Sequence, residues 1–266
     1  MHPRLLISNA RPERSCQSLP LGISAIGLQL LFIAVPWNWH HAAELIAGAS
    51  FALAAGLLCM RAFPAFHVAL MLALLTVPSF VLRGLQWPYH FLIPLAVYAG
   101  ITASMKNLRG SATWLRRGRL DGKTLALVLL VVAITSLALV AWFRLFKPDV
   151  ENFRALIPRD SGHLILGGLI FSVGNALLEE IIWRGILLEA LAALTPFAAL
   201  AIGLQAVSFG LQHAEGFPSG AVGVVLATFY GAMLGGLRTY AKGMAAPILA
   251  HVFADLTIYL ILVNSL

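Results

Sequence analysis

Asn175-Ala176-Leu177-Leu178-Glu179-Glu180-Ile181-Ile182-Trp183-Arg184-Gly185 sets two adjacent carboxylates and a guanidinium inside an apolar run. Mostly apolar residues flank it, from Leu164 to Val173 and from Ile186 to Leu194. A run of this length and character belongs in a bilayer. An acid there costs roughly 2.5–3.5 kcal/mol on insertion scales, so it marks function by default. Glu180 and Arg184 stand at i and i+4, share a helix face and can pair. Glu179 points about 100° away and is left for chemistry as a general base. The alternative is that both acids pair with cations on other helices and only hold a bundle together.

Composition fixes the class. The chain has 266 residues, 60% hydrophobic and 11% charged, with a mean hydropathy of +0.87. A soluble domain is about 45–50% apolar and 25% charged. The apolar runs are too long for barrel strands and lack their alternation. The expected fold is therefore all-α, a polytopic bundle of about eight to nine membrane-spanning helices. The net charge of +7 reads as loop cations facing anionic lipid, not as a nucleic-acid footprint. Cys16 and Cys59 are the only cysteines and form no metal or redox motif. Met1 to Pro20 carries Arg4, Arg11 and Arg14 but no compact apolar core before a small-residue cleavage site, so no signal peptide is expected.

Nine apolar segments have spanning length, near Leu21–Trp37, Ala43–Met60, Ala65–Leu82, Tyr89–Met105, Thr124–Phe146, His163–Ala193, Phe197–Gln212, Gly220–Leu237 and Met244–Val263. Leu82-Arg83-Gly84 and Trp87-Pro88 separate the third from the fourth, which could form a tight hairpin. Lys106, Arg109, Arg116, Arg117, Arg119 and Lys123 crowd one loop, which the positive-inside rule makes cytoplasmic. Counting from it puts the N-terminus inside, along with Arg61, Arg238 and Lys242, and the C-terminus outside. Lys147, Arg154 and Arg159 fall outside against the rule, offset by Asp149, Glu151 and Asp160. The organisation expected is a cytoplasmic segment over 1–20, N-terminal transmembrane helices over 21–105, the basic loop over 106–123 and a chemistry-bearing core over 124–266.

Two more polar intrusions follow. Phe209-Gly210-Leu211-Gln212-His213 ends the seventh segment before a loop; alone, His213 is as readily an interfacial residue as a functional one. His251-Val252-Phe253-Ala254-Asp255 lies in the last segment, with His251 and Asp255 on one helix face. An aspartate beside a histidine fixes its tautomer and ring direction; the alternative is an interhelical hydrogen bond worth about 0.6 kcal/mol. His40, His41, His67, His90, Glu44 and Glu189 need no catalytic role. Gly231, Gly235 and Gly236 suit close helix packing.

Together the intrusions bring two glutamates, two histidines and an aspartate from three segments. A carboxylate and a histidine can activate a water, and a second histidine can stabilise an oxyanion. Glu179, His213 and His251 could equally ligate zinc, although no H-E-x-x-H is present. At about 1.5 Å per residue, Glu179 and His251 come to similar depth, and His213 falls nearer the opposite face unless the seventh helix is tilted or shorter or its boundary lies elsewhere.

Glu179-Glu180-x-x-x-Arg184, Phe209-x-x-x-His213 and His251-x-x-x-Asp255, in that order, resemble the three motifs of the CAAX-processing and bacteriocin-processing enzymes. These are the glutamic-type intramembrane proteases, also called CPBP or Abi proteins. Leu234-Gly235-Gly236-Leu237-Arg238 and the run from Lys242 to His251 are similar to that family's approach to its last motif. The resemblance covers Gly162 to Tyr259 and leaves the first four spans outside. It implies that Glu179 and His213 activate the attacking water, that His251 and the residue at 255 stabilise the oxyanion, and that Glu180, Arg184 and Phe209 support them. The family commonly carries Asn where this chain has Asp255. An ionised aspartate would repel an oxyanion, so Asp255 is either protonated or orients His251, and i,i+4 geometry favours orientation.

The function this implies is intramembrane endopeptidase activity, without a cofactor, on a membrane-associated protein or peptide cut near its C-terminus. The expected setting is the plasma membrane of a bacterium or archaeon, with the lipid bilayer as partner and no nucleic acid. Two alternatives stay open: a zinc-dependent protease using the same residues, and a non-catalytic immunity or assembly factor that binds a peptide in the same cavity.

Overall fold

In lipid an apolar segment must satisfy its own backbone hydrogen bonds, so a chain of such segments folds as helices. The computed structural model describes residues 12–35, 39–81, 87–108, 114–151, 153, 157 and 161–265. The elements are α1 (Pro12–Ala34), α2 (His40–Cys59), α3 (Phe63–Val81), α4 (Tyr89–Ser104), α5 (Gly122–Phe146), a 3-10 turn (Ser161–His163), α6 (Leu164–Glu180), a π-helical segment (Ile181–Leu187), α7 (Leu188–Leu194), α8 (Ala198–Gln212), α9 (Gly220–Ala241) and α10 (Ala245–Val263). Among the described residues there is no strand. Arg4, Arg11, Arg109, Arg154, Arg159 and Asp160, which enter the topology count, lie outside the described residues, as do Leu82-Arg83-Gly84 and the side chains of Arg14 and Cys16.

Each apolar segment of the sequence becomes a helix, and His163–Ala193 becomes three helical pieces end to end. Among the described residues, five stretches are long and apolar enough to cross a membrane: His40–Cys59, Gly122–Phe146, Leu164–Leu194, Gly220–Ala241 and Ala245–Val263, and four apolar helices are shorter, among them Ala198–Gln212. The chain is thus an all-helical integral membrane protein.

Helix ends follow local chemistry. Asp121 caps α5, accepting from Thr124 N–H and Thr124 Oγ1, both at 2.8 Å. These bonds, the backbone one first, hold its carboxyl below the usual range. The helix closes at Lys147 in the left-handed region.

Three clusters hold the bundle. In α3 every residue from Ala65 to Leu74 is buried, as expected of a helix apolar on all sides and enclosed by its neighbours. Around it pack α1, α2, α4 and the π segment, with Trp183, Leu187 and Leu191 in the same cluster. Val128, Leu234, Leu237 and Ala250 join α5, α9 and α10. Trp142, Phe171, Phe217 and Tyr259 form the third cluster. Helix α8 packs tightly on α9, where a Cβ at Gly210 would strike Thr228 and the Val224 carbonyl.

The basic loop is part of this scaffold. Arg119 N–H donates to Ala241 O at 2.8 Å, and Met244 and Ala245 N–H donate to Arg116 O and Arg117 O at 2.7 and 3.0 Å. Gly118 sits at φ 77° with its Cα against Gly243, a crossing only a residue without Cβ permits.

Candidate active site

The stretch from Asn175 to Gly185 runs from the last turns of α6 into the π segment. π-helical bulges inside α-helices recur at functional sites. Here Ile182 to Leu187 are all buried, so the full circumference is enclosed. Gly185 allows this, because a Cβ there would lie 2.9 Å from the Trp114 ring.

Glu180 and Arg184 form the buried pair. Oε1 of Glu180 lies 2.9 Å from Nη1 of Arg184, and both side chains are 0% exposed. The Arg184 guanidinium stands 4.2 Å above the centre of the Phe209 ring, a cation–π contact that helps hold a desolvated charge. The same Glu180 oxygen lies 2.7 Å from Nδ1 of His251 on α10. A carboxylate accepts, so Nδ1 donates. Glu180 therefore joins the cation and the imidazole, and the orienting bond of His251 goes to it instead of to Asp255.

Nε2 of His251 then faces two carboxylates, Glu179 Oε2 at 3.5 Å and Asp255 Oδ1 at 3.7 Å. Asn175, one turn before Glu179, donates from Nδ2 to Glu179 Oε1 at 3.2 Å and to Asp255 Oδ2 at 3.1 Å. Its Oδ1 accepts from Trp87 Nε1–H at 3.0 Å. Tyr230 of α9 places its ring edge-on to His251, 5.4 Å between centres, and its buried hydroxyl has no hydrogen-bond partner among the described residues.

His213 follows the last turn of α8. Its Nδ1 donates to the Phe209 carbonyl at 3.0 Å, which leaves Nε2 as the acceptor of the neutral ring. Its ring packs 4.6 Å from that of Phe209. At 15 residues, α8 spans only about 22 Å at 1.5 Å per residue, less than the roughly 30 Å of a hydrocarbon core. His213 consequently lines the same cavity as Glu179, His251 and Asp255 instead of standing near the opposite face.

That cavity has a volume of about 390 Å³, within the range of small-ligand sites. Its polar floor is Asn175, Glu179, His213, Tyr230, His251 and Asp255; aromatic and aliphatic residues such as Phe171, Phe217 and Leu226 form the walls. Among the described residues, no three His, Cys, Asp or Glu side chains form a group that could hold a metal ion.

All seven residues singled out from the motifs meet here. Asn175, Trp87 and Tyr230 were not assigned. Asn175 carried a signal, being an amide in an apolar span; Trp87 and Tyr230 carried none, since aromatic residues are common at such positions.

Compared with known families, residues 161–257 match the family described as Type II CAAX prenyl endopeptidase Rce1-like. The match holds every motif residue above and excludes Trp87. No curated protein and no solved structure matches the chain.

Proposed function

We propose, from the match of residues 161–257 to the CAAX prenyl endopeptidase family, that this protein is a glutamic-type intramembrane endopeptidase. It hydrolyses a peptide bond of a membrane-associated protein or peptide, near that substrate's C-terminus. The observation that carries this is the placement of Glu179, His213 and His251 around one cavity beneath apolar walls. Glu179 takes a proton from a water held between it and His213. The oxygen attacks the scissile carbonyl, and the new oxyanion is met by the Nε2–H of a doubly protonated His251, whose Nδ1–H is held by the buried Glu180 carboxylate. Collapse breaks the C–N bond, and the proton passes from Glu179 to the leaving amine. Glu180 and Arg184 hold His251 in place; Asp255 flanks its Nε2.

The proposed chemistry needs no metal. The bundle crosses the bilayer eight to nine times, with the N-terminus and the basic loop in the cytoplasm of a bacterium or archaeon. The test is cleavage of a farnesylated peptide ending in Cys-aliphatic-aliphatic-X by protein in liposomes. Wild type releases a C-terminal fragment and Glu179→Gln does not; equal release by both would overturn the proposal.

A further inference from the structure

We propose that Asn175 is a positioning residue of this site: it holds Glu179 and Asp255 side by side and selects the Glu179 oxygen that faces His251, with Trp87 fixing its orientation. The inference rests on the endopeptidase function proposed above. An asparagine side chain has two N–H donors and one carbonyl acceptor. Both donors of Asn175 are used, one on Glu179 Oε1 at 3.2 Å and one on Asp255 Oδ2 at 3.1 Å. The indole N–H of Trp87 can only donate, and it lies 3.0 Å from Oδ1. That contact rules out the flipped amide, which would turn an NH₂ on the indole and a carbonyl on the carboxylates. With no donor to spare, Asn175 acts through the acids instead of touching substrate.

The consequence for Glu179 is specific. Oε1 is occupied, whereas Oε2 has no hydrogen-bond partner among the described residues and stands 3.5 Å from His251 Nε2. The oxygen free to bind water is thereby the one beside the imidazole. A neutral amide bridges two acids without adding a charge, as a lysine would. Trp87, outside the matched segment, packs on Phe171 at 5.4 Å and gives the N-terminal part of the chain a hand in the site. The charged and titratable groups around the bridged pair are Glu180, Arg184, His213, Tyr230 and His251, with His90 lining the same cavity.

The test uses full-length protein in liposomes with the farnesylated peptide, and four variants: Asn175→Leu, Asn175→Asp, Asn175→Asp with Asp255→Asn, and Trp87→Phe. Asn175→Leu should lower kcat roughly tenfold to a hundredfold with KM within about twofold, at unchanged folded yield. Asn175→Asp should lose activity and alter the pH profile of kcat, because three acids then meet. Adding Asp255→Asn, which exchanges amide and acid across the same bond, should restore a large part of it. Trp87→Phe should follow Asn175→Leu more weakly. Infrared carboxyl bands, assigned with Glu179→Gln and Asp255→Asn, should shift in Asn175→Leu, and this needs no turnover. Wild-type kcat and pH profile in Asn175→Leu, an exchange no better than Asn175→Asp alone, or unmoved carboxyl bands would each overturn the inference. Full cleavage by Glu179→Gln would overturn the endopeptidase function instead, while the infrared shift still reports on the bridge.

Discussion

Oε1 of Glu180 lies 2.7 Å from Nδ1 of His251, joining two helices across 71 residues of sequence. The same oxygen lies 2.9 Å from Arg184, so one acid neutralises a buried cation and points an imidazole. Stability and site geometry are thereby tied to a single carboxylate.

Removing the cation exposes that tie. Arg184→Ala leaves Glu180 buried and uncompensated, and breaking a buried pair on one side costs about 3–5 kcal/mol. The variant should accumulate less folded protein and unfold at lower denaturant in detergent. Unfolding at the wild-type midpoint would show that the pair does not hold the core.

His251→Ala should separate chemistry from folding. The imidazole is the group placed for the oxyanion, so cleavage should fall roughly 10²–10⁴-fold, with the protein still inserted at wild-type level. Residual cleavage within a few-fold of wild type would remove His251 from the reaction.

The α8–α9 contact sets the position of His213, one residue beyond α8. Gly210→Val would place side-chain atoms against Thr228 and the Val224 carbonyl. Overpacking of this kind costs typically about 1–3 kcal/mol. Lower thermal stability, with a greater loss of cleavage than of folded protein, is the expected result.

The cap of α5 gives a pH test away from the site. Asp121 has its folded-state carboxyl held below the usual range, chiefly by the Thr124 backbone bond. Such a group adds stability that is present above the unfolded carboxyl pKa and is lost as pH falls through the lower folded one. Asp121→Ala should therefore melt below wild type near neutral pH, and the two melting curves should converge in acid. A difference constant across that range would deny the cap its charge.

These expectations rest partly on what the residues alone disclose. Helix positions follow from the apolar runs because a bilayer admits little else, and the Glu180–Arg184 pair follows from i,i+4 spacing. The Glu180–His251 bond does not, since it depends on how α6 packs against α10. The π segment is also silent, because one extra residue per turn leaves no mark on a run that is apolar on every side. Counting residues alone leaves the place of His213 open between a full-length and a shorter seventh helix; α8 is the shorter kind, 15 residues long, and its terminal histidine lines the cavity. Trp87 reaches Asn175 across 88 residues, and nothing local to either residue announces the contact.

The most direct test compares new protein ends, by terminal-peptide mass spectrometry, in membranes holding equal amounts of wild type or Glu179→Gln. Ends that appear with wild type and vanish with Glu179→Gln are the predicted result, and they identify substrate and cut site together. The same new ends in both membranes would contradict a reaction driven by Glu179.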